Sequence, residues 1–517
     1  MRVRHSRKEQ RRGVVLLLVL ICIPLLALSG YAFTQTMRVE AQAANAAVSL
    51  SQAKWSANAG IEYARAMLAD PNTFGDSGPN LADDSSRFCG QLIGDQTATS
   101  QLHFSLVHAD AQLGEGLFYG MSNESAKIPL DNPAMLNRRE ALLGLPNMTD
   151  EIADAILDWI DADDQPKDLG AETDYYSMQS PPYSAANSAP KTLGELLLIK
   201  GVTPELLYGE DRNLNGKLDP SENDGDATWP PDNSDGVLDR GWIPYLTLHS
   251  SGSNLNPRGE AKVNLNGIVS ASTSADSTGS GQATGGVQVT GGQSMPSINQ
   301  ELANQLVEAF GEEFVNFLIA YKTEKSQIRT ISELIDATAN AFPGMSGQGN
   351  GGNLPNQGMG GTQPIRSPWR SDNMGDYLEK AMEEYCTTDE PSVKGAIDIL
   401  NAPKEVIRAL PGIDEQMADT IATAGKNRST RPTSPAFLLM EQTVSLEVFR
   451  QIEPYVTTQG RVYRVESVGY SSGGGPIARV EAIIDASGTV PKILSRRDLT
   501  PAGIGYTREE ISGQAAP

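Results

Sequence analysis

Cysteine and histidine are scarce in this chain. Three cysteines and four histidines among 517 residues form no CxxC and no Cys/His cluster, which argues against a zinc site. Cys22 lies in an apolar run. Cys89 and Cys386 remain, and the sequence leaves open whether they form one disulfide or two unpaired thiols. Basic charge is also short. Against 64 Asp and Glu there are 41 Lys and Arg, so the formal net charge is -23 and the isoelectric point is about 4.6. Such a surface repels nucleic acid and anionic lipid headgroups, and attracts cations and basic partners. The length exceeds one ordinary core, so roughly two to four folded units are expected.

Charge is distributed unevenly at the N-terminus. Arg2, Arg4, Arg7, Lys8, Arg11 and Arg12 face only Glu9, then Gly13 follows, and Val14 to Met37 carries no charge. An apolar run of about 20 residues spans a bilayer, and a basic flank holds the N-terminus in the cytoplasm. The run is longer than a signal peptide's and continues into an alanine-rich segment from Ala41 to Leu68 with helical spacing. Pro24 bends the helix locally, which a membrane helix tolerates. The expectation is one long helix, half in lipid and half outside.

This order of basic leader, glycine, apolar helix and amphipathic helix resembles the N-terminus of type IV pilins and pseudopilins. The resemblance implies cleavage after Gly13 by a prepilin peptidase, with methylation, so that the mature chain begins at Val14. Major pilins carry glutamate at the fifth mature position. Here it is Leu18. A carboxylate in lipid needs a partner, and a subunit without it fits a filament tip, which has no neighbouring amino group to neutralise. A plain, uncleaved signal anchor is the competing reading.

Further on, Leu142-Leu143-Gly144-Leu145-Pro146 precedes a helix expected over 150–160. Thr149 is its N-cap, and Ile152, Ile156, Leu157 and Ile160 form its apolar face. Thr203 caps another helix. From Thr149 to Arg240 there are 21 acids against 6 bases. The pair Asp163 and Asp164, at a helix end, reads as solvated charge or as partners for a basic subunit. The strings Lys127–Asp131, Lys262–Asn266 and Ala396–Asn401 are alike, and each precedes a helical stretch, as if one organisation were used more than once. Residues 270–297 and 343–367 are low-complexity linkers. Residues 461–468 and 477–484 alternate as a β-hairpin.

Residues 211–222 read DRNLNGKLDPSE. Asp211, Asn213 and Asn215 alternate, Gly216 permits a sharp turn, Lys217 offers its carbonyl, Asp219 follows and Glu222 closes the loop. This is the full twelve-residue calcium-loop pattern, in which hard oxygen donors suit Ca²⁺. A partial second pattern, Asn233, Asp235, Gly236 and Asp239, lacks its closing acid, because Trp242 stands there. Pro220 interrupts any exit helix, so the expected ion is structural and not a sensor switch.

Trp159–Asp164, Asp174-Tyr175-Tyr176, Pro182–Asn187, Leu196–Pro204, Leu400–Pro403 and Leu410-Pro411-Gly412 closely resemble the type II secretion system minor pseudopilin K family (general secretion pathway protein K, GspK-like). The resemblance covers most of the chain apart from the low-complexity stretches. It implies an α+β fold: a pilin-like N-terminal transmembrane helix with a small antiparallel sheet, carrying an inserted all-α domain of SAM-like or helix-hairpin-helix-like kind. It further implies calcium, and a non-enzymatic place at the pseudopilus tip with minor pseudopilins I and J. The major pseudopilin, the prepilin peptidase, secreted substrates and the outer-membrane channel are the other expected partners. The expected location is the inner membrane, single-pass, with the bulk periplasmic.

On this reading the chain divides into leader 1–13, helix 14–70, pilin-like segment 71–131, acidic α-domain with the calcium loop 132–269, linker 270–297, helical segment 298–342, linker 343–367, second helical unit 368–458, hairpin 459–488 and tail 489–517. The runner-up is a membrane-anchored helix-hairpin-helix DNA-uptake protein, suggested by Leu410–Ile413 with Lys404, Arg408, Lys426, Arg428 and Arg431 nearby. DNA affinity draws on such cations, but the chain as a whole is acidic, and no nucleic-acid partner is expected. Gly469–Gly473 fits G-x-S-x-G, but sits in a turn with no histidine after it.

Overall fold

A computed structural model describes residues 11–74, 80–94, 101–109, 116–132, 136, 139–270, 297–340, 364–426, 431–488 and 490–513. Most of the leader, 1–10, lies outside these, as do 271–296 and 341–363.

One helix runs over Arg11–Leu68, 58 residues that include Pro24 and extend about 87 Å at 1.5 Å per residue. Its outer part packs on a sheet. Ala57, Ile61, Ala64 and Leu68 recur every three or four positions and meet Phe104, Leu106, Val465, Val480 and Ile484 in one buried cluster. The approach is close. A Cβ on Gly60 would lie 2.1 Å from Ser467 Oγ.

The sheet is antiparallel, in the order Gln91–Ile93, Leu102–Val107, Val462–Ser471, Ala478–Asp485, Lys492–Asp498, with Ser122–Asn123 also pairing Val462–Ser471. The expected hairpin is therefore present. The residues read as a tail are not one: Lys492–Asp498 forms the edge strand, and Arg508–Ile511 is a capped helical turn.

Among the described residues, three helical units lie between these strands, each closed by a short parallel strand pair. Ile128–Pro129 pairs Leu246–Thr247, Val263–Asn264 pairs Tyr385–Cys386, and Ile397–Asp398 pairs Val456–Thr457. The three similar strings are the opening strands of these clasps. Helix Asp150–Ile160 has the expected bounds, and Thr149 Oγ1 accepts from Ile152 N. Its expected apolar face is buried, and it shares one large core with the helices Gln300–Phe310, Glu312–Glu324 and Leu446–Ile452.

Two expectations need correction. The segment expected as helical, 298–342, contains a strand, Thr338–Asn340, paired antiparallel with Pro364–Arg366. Likewise Val269–Ser270 pairs with Ser297–Ile298. The low-complexity stretches thus leave and return at the same place, because hydrogen-bonded strands close each at its base. They are not spacers between separated bodies.

Candidate functional site

The loop 211–222 is held by its own backbone. Asp211 Oδ1 and Oδ2 accept from Asn215 N at 3.0 Å and Gly216 N at 2.9 Å. Asn213 Oδ1 accepts from Asn215 N, and Asn215 Oδ1 from Lys217 N. Glu222 Oε1 accepts from Arg212 N and Oε2 from Asp219 N, each at 3.0 Å. Gly216 has φ +66°, a conformation that favours glycine. Pro220–Glu222 is a single 3-10 turn, so no exit helix follows. Asp219 Oδ2 is met by the amide nitrogens of Asn213 and Asn215.

Asp211 and Glu222 are almost fully buried. Burial pushes the Asp211 carboxyl up, against the opposing charge of Arg240. Burial also raises Glu222 to about 7, with the charges of Asp211 and Asp219 adding to it. Buried, mutually repelling carboxylates beside neutral amide oxygens are the donor chemistry of a calcium loop, and the residues fit that ion.

Sequence reasoning missed what fixes this loop in place. Arg479, on a central strand and fully buried, donates to the carbonyls of Asn213 at 2.8 Å and Leu214 at 3.1 Å, and to Glu466 Oε1 at 2.6 Å. Asn215 Nδ2 reaches Gly505 O at 2.7 Å, Tyr506 OH donates to Glu466 Oε2, and Lys217 pairs with Glu510. The loop is therefore the joint between the first helical unit, the sheet and the C-terminal segment. One buried arginine in an alternating strand was the available signal.

The second loop is looser. Asn233 Oδ1 accepts from Asp235 N and Asp235 Oδ1 from Val237 N, both at 2.8 Å. Glu210 spans it, accepting from Asn233 N and Asp239 N. Asp239 itself caps Gly241 N.

Gly13 and Val14 fall inside the first helix, and Leu18 is 59% exposed. Cys89 and Cys386 are both free thiols: they lie apart in the fold, Cys89 Sγ 3.6 Å from Ile511 O and Cys386 Sγ 3.1 Å from Thr388 O, so the disulfide alternative is set aside. Leu410–Ile413 makes a tight turn between helices Lys404–Arg408 and Glu415–Lys426, with Leu410 and Ile413 buried. Arg431, one of the cations near it, is engaged by Asp398 and the Thr458 carbonyl at about 3 Å; Arg428 lies outside the described residues.

These features define an α+β protein with one N-terminal helix long and apolar enough to cross a membrane and a chain of clasped helical units set into a small antiparallel sheet. Residues 122–208 match the family model for type II secretion system (T2SS), protein K. The chain is 29% identical over 212 residues to type II secretion system protein K of Pectobacterium carotovorum subsp. carotovorum, covering 38% of this chain and 61% of that protein. It is 30% identical over 207 residues to the Klebsiella pneumoniae protein of the same name, covering 38% and 60%. The matches thus span about three fifths of those relatives. A chain of the solved GspK-GspI-GspJ complex from the enterotoxigenic Escherichia coli type 2 secretion system is similar at TM-score 0.37 and 10% identity, over 89% of this chain and 99% of that one. The chain is thus similar to type II secretion system proteins K over part of its length, with residues 122–208 matching their family model.

Proposed function

We propose that the chain is a minor pseudopilin at the tip of the type II secretion pseudopilus, initiating or capping filament assembly for protein export. One observation carries this reading: the apolar N-terminal run is the same unbroken helix that packs on the sheet. From Val15 to Leu28 its large apolar side chains are 43% to 73% exposed, surface that needs lipid or neighbouring helices to cover it. Such a helix serves as an inner-membrane anchor, N-terminus inward and bulk periplasmic, and then as a filament stem. The proposed partners are minor pseudopilins I and J, the major pseudopilin and the prepilin peptidase, with secreted substrates and the outer-membrane channel met at the tip. The role is assembly and not catalysis.

Calcium in the loop 211–222, with Asp211, Asn213, Asn215, Lys217 through its carbonyl, Asp219 and Glu222 as ligands, would lock the first helical unit to the sheet; Asn233, Asp235 and Asp239 offer a weaker second site.

The N-terminal mass of membrane-extracted protein, with and without the host's prepilin peptidase, tests the class. A start at Val14 only with the peptidase supports it. A start at Met1 in both cases makes the chain a simple anchored helical protein.

A further inference from the structure

A cleft of about 1500 Å³ opens between the turn after the long N-terminal helix, the sheet and the helical units. Its charge runs against that of the chain. The whole sequence has 64 acids to 41 bases, yet among the described residues that line the cleft lysine and arginine outnumber the acids eight to four. Those four acids are already engaged. Glu124 holds Lys127 and Arg464, Glu481 holds Arg464 at 2.9 Å, and Glu466 holds Arg479. Asp211 accepts from the backbone of its own loop. Positive charge is therefore left over.

The excess is sharpest at one end. Pro71–Phe74 is the single turn that follows the N-terminal helix. Arg461, just before strand Val462–Ser471, lays its guanidinium on the Phe74 ring, with Cζ 3.5 Å from the ring centre. Phe74 in turn stacks against Tyr463. The backbone of Arg461 is fixed from both sides: its N–H donates to Ser251 O at 3.0 Å, and its carbonyl accepts from Ala486 N at 2.8 Å. Its side chain makes no hydrogen bond and no ion pair among the described residues. Arg431 lines the same cleft. It commits one nitrogen, Nη2, to Asp398 Oδ2 at 3.0 Å and Thr458 O at 3.1 Å. Its Nε and Nη1 have no partner among the described residues.

Burial holds the Arg461 guanidinium below its ordinary value, and the like charge of Arg431 pushes the same way, against Tyr463 and Asp398. A largely desolvated cation with all its donors unused costs free energy that an anion would return. A planar fork resting on an aromatic face is also oriented in advance, so little freedom is lost on binding. Carboxylate and phosphate oxygens match that fork.

We infer that Arg461 and Arg431, with Phe74 as backing, form a binding site for an oxyanion in this cleft. Free inorganic phosphate and the carboxylates of a polypeptide are the two sources of that chemistry. The bound anion would tie the turn after the N-terminal helix to the third clasp, whose Asp398 already holds Arg431. The inference depends neither on the secretion reading nor on calcium.

The test uses the full chain in detergent, in calcium-free buffer of low ionic strength, titrated by calorimetry with inorganic phosphate and, separately, with an acetylated diglutamate peptide. One equivalent of probe is expected to bind. Arg461→Gln is expected to weaken it by about tenfold or more. Arg461→Lys, which keeps the charge and loses the fork, should recover part of that affinity. Arg431→Gln, a change at an exposed side chain, should lower affinity in the same direction. Lys492→Gln removes an equal charge from the exposed edge strand, outside the cleft, and should leave binding unchanged. Arg461 has no partner to strand, so Arg461→Gln should melt no lower than wild type without anion, and its lost binding is not lost folding. Tighter phosphate binding assigns the site to the free ion, and tighter peptide binding to a polypeptide carboxylate. Binding of neither probe, wild-type affinity in both Arg461→Gln and Arg431→Gln, or an equal loss in Lys492→Gln would overturn the site.

Discussion

Glu124 and Glu172 are both buried glutamates in the first helical unit or at its threshold, and they are treated in opposite ways. Glu124 is paired with Lys127 at 3.0 Å and Arg464 at 2.8 Å, and accepts from Thr247 Oγ1 at 2.9 Å. It thereby joins the sheet to the first clasp. Burial alone would raise its carboxyl, but Arg464 and Lys127 outweigh this and hold it well below the usual range. Glu172 has no donor at all. The difference teaches that a buried charge the protein neutralises is a structural joint, whereas one left without a donor is a cost to the fold.

The largest expected effect lies on the paired side. Glu124→Gln strands two cations and should cost about 3–5 kcal/mol in chemical denaturation. Because the native carboxyl is lowered, its contribution is complete above about pH 4.5 and is lost as pH falls towards the native value. Glu124→Gln should therefore flatten the acid limb of the stability profile. Next is calcium itself. At about 100 times the dissociation constant, each occupied site should add about 2.7 kcal/mol to unfolding. Glu222→Gln should abolish the share of the loop 211–222.

The sharpest contrast is smaller. In chelator at neutral pH, Glu172→Gln should stabilise the chain by on the order of 1 kcal/mol, by removing an unpaired buried charge. A melting temperature no higher than that of the wild type would erase the contrast with Glu124. Thr149→Ala, which removes the cap of helix Asp150–Ile160, should cost about 1 kcal/mol with or without calcium. It serves as the local control.

What could be read from the sequence was what is local. The cap at Thr149 and the apolar spacing of Ile152, Ile156 and Ile160 lie within one helix, so its bounds were readable. The loop 211–222 was readable because all its oxygens come from one stretch. The opening strands of the clasps were visible as similar strings, but their partners, such as Tyr385–Cys386, are two residues long and lie far away in sequence. Lys492–Asp498 was missed because an edge strand buries little. Only Ile493 is partly covered, and Lys492, Arg496 and Arg497 are exposed, so the charged string looked like a tail. The Glu172 pocket was unreadable for another reason: its signal is a missing hydrogen bond, which has no residue pattern. Asp163 and Asp164 looked like ordinary solvated charge until the fold returned Glu172 and Asn187 to them.

The closed bases of the units carry a consequence for how such a chain can change. Each helical unit begins and ends at one strand pair, and so does each low-complexity stretch, at 269–270 with 297–298 and at 338–340 with 364–366. Length added beyond a closed base moves neither neighbour, and the entropy of a longer excursion grows only slowly, about 0.6 kcal/mol per doubling. Insertions and deletions there are close to neutral for the rest of the molecule, so related chains can differ greatly in size while keeping the same stem, sheet and joint.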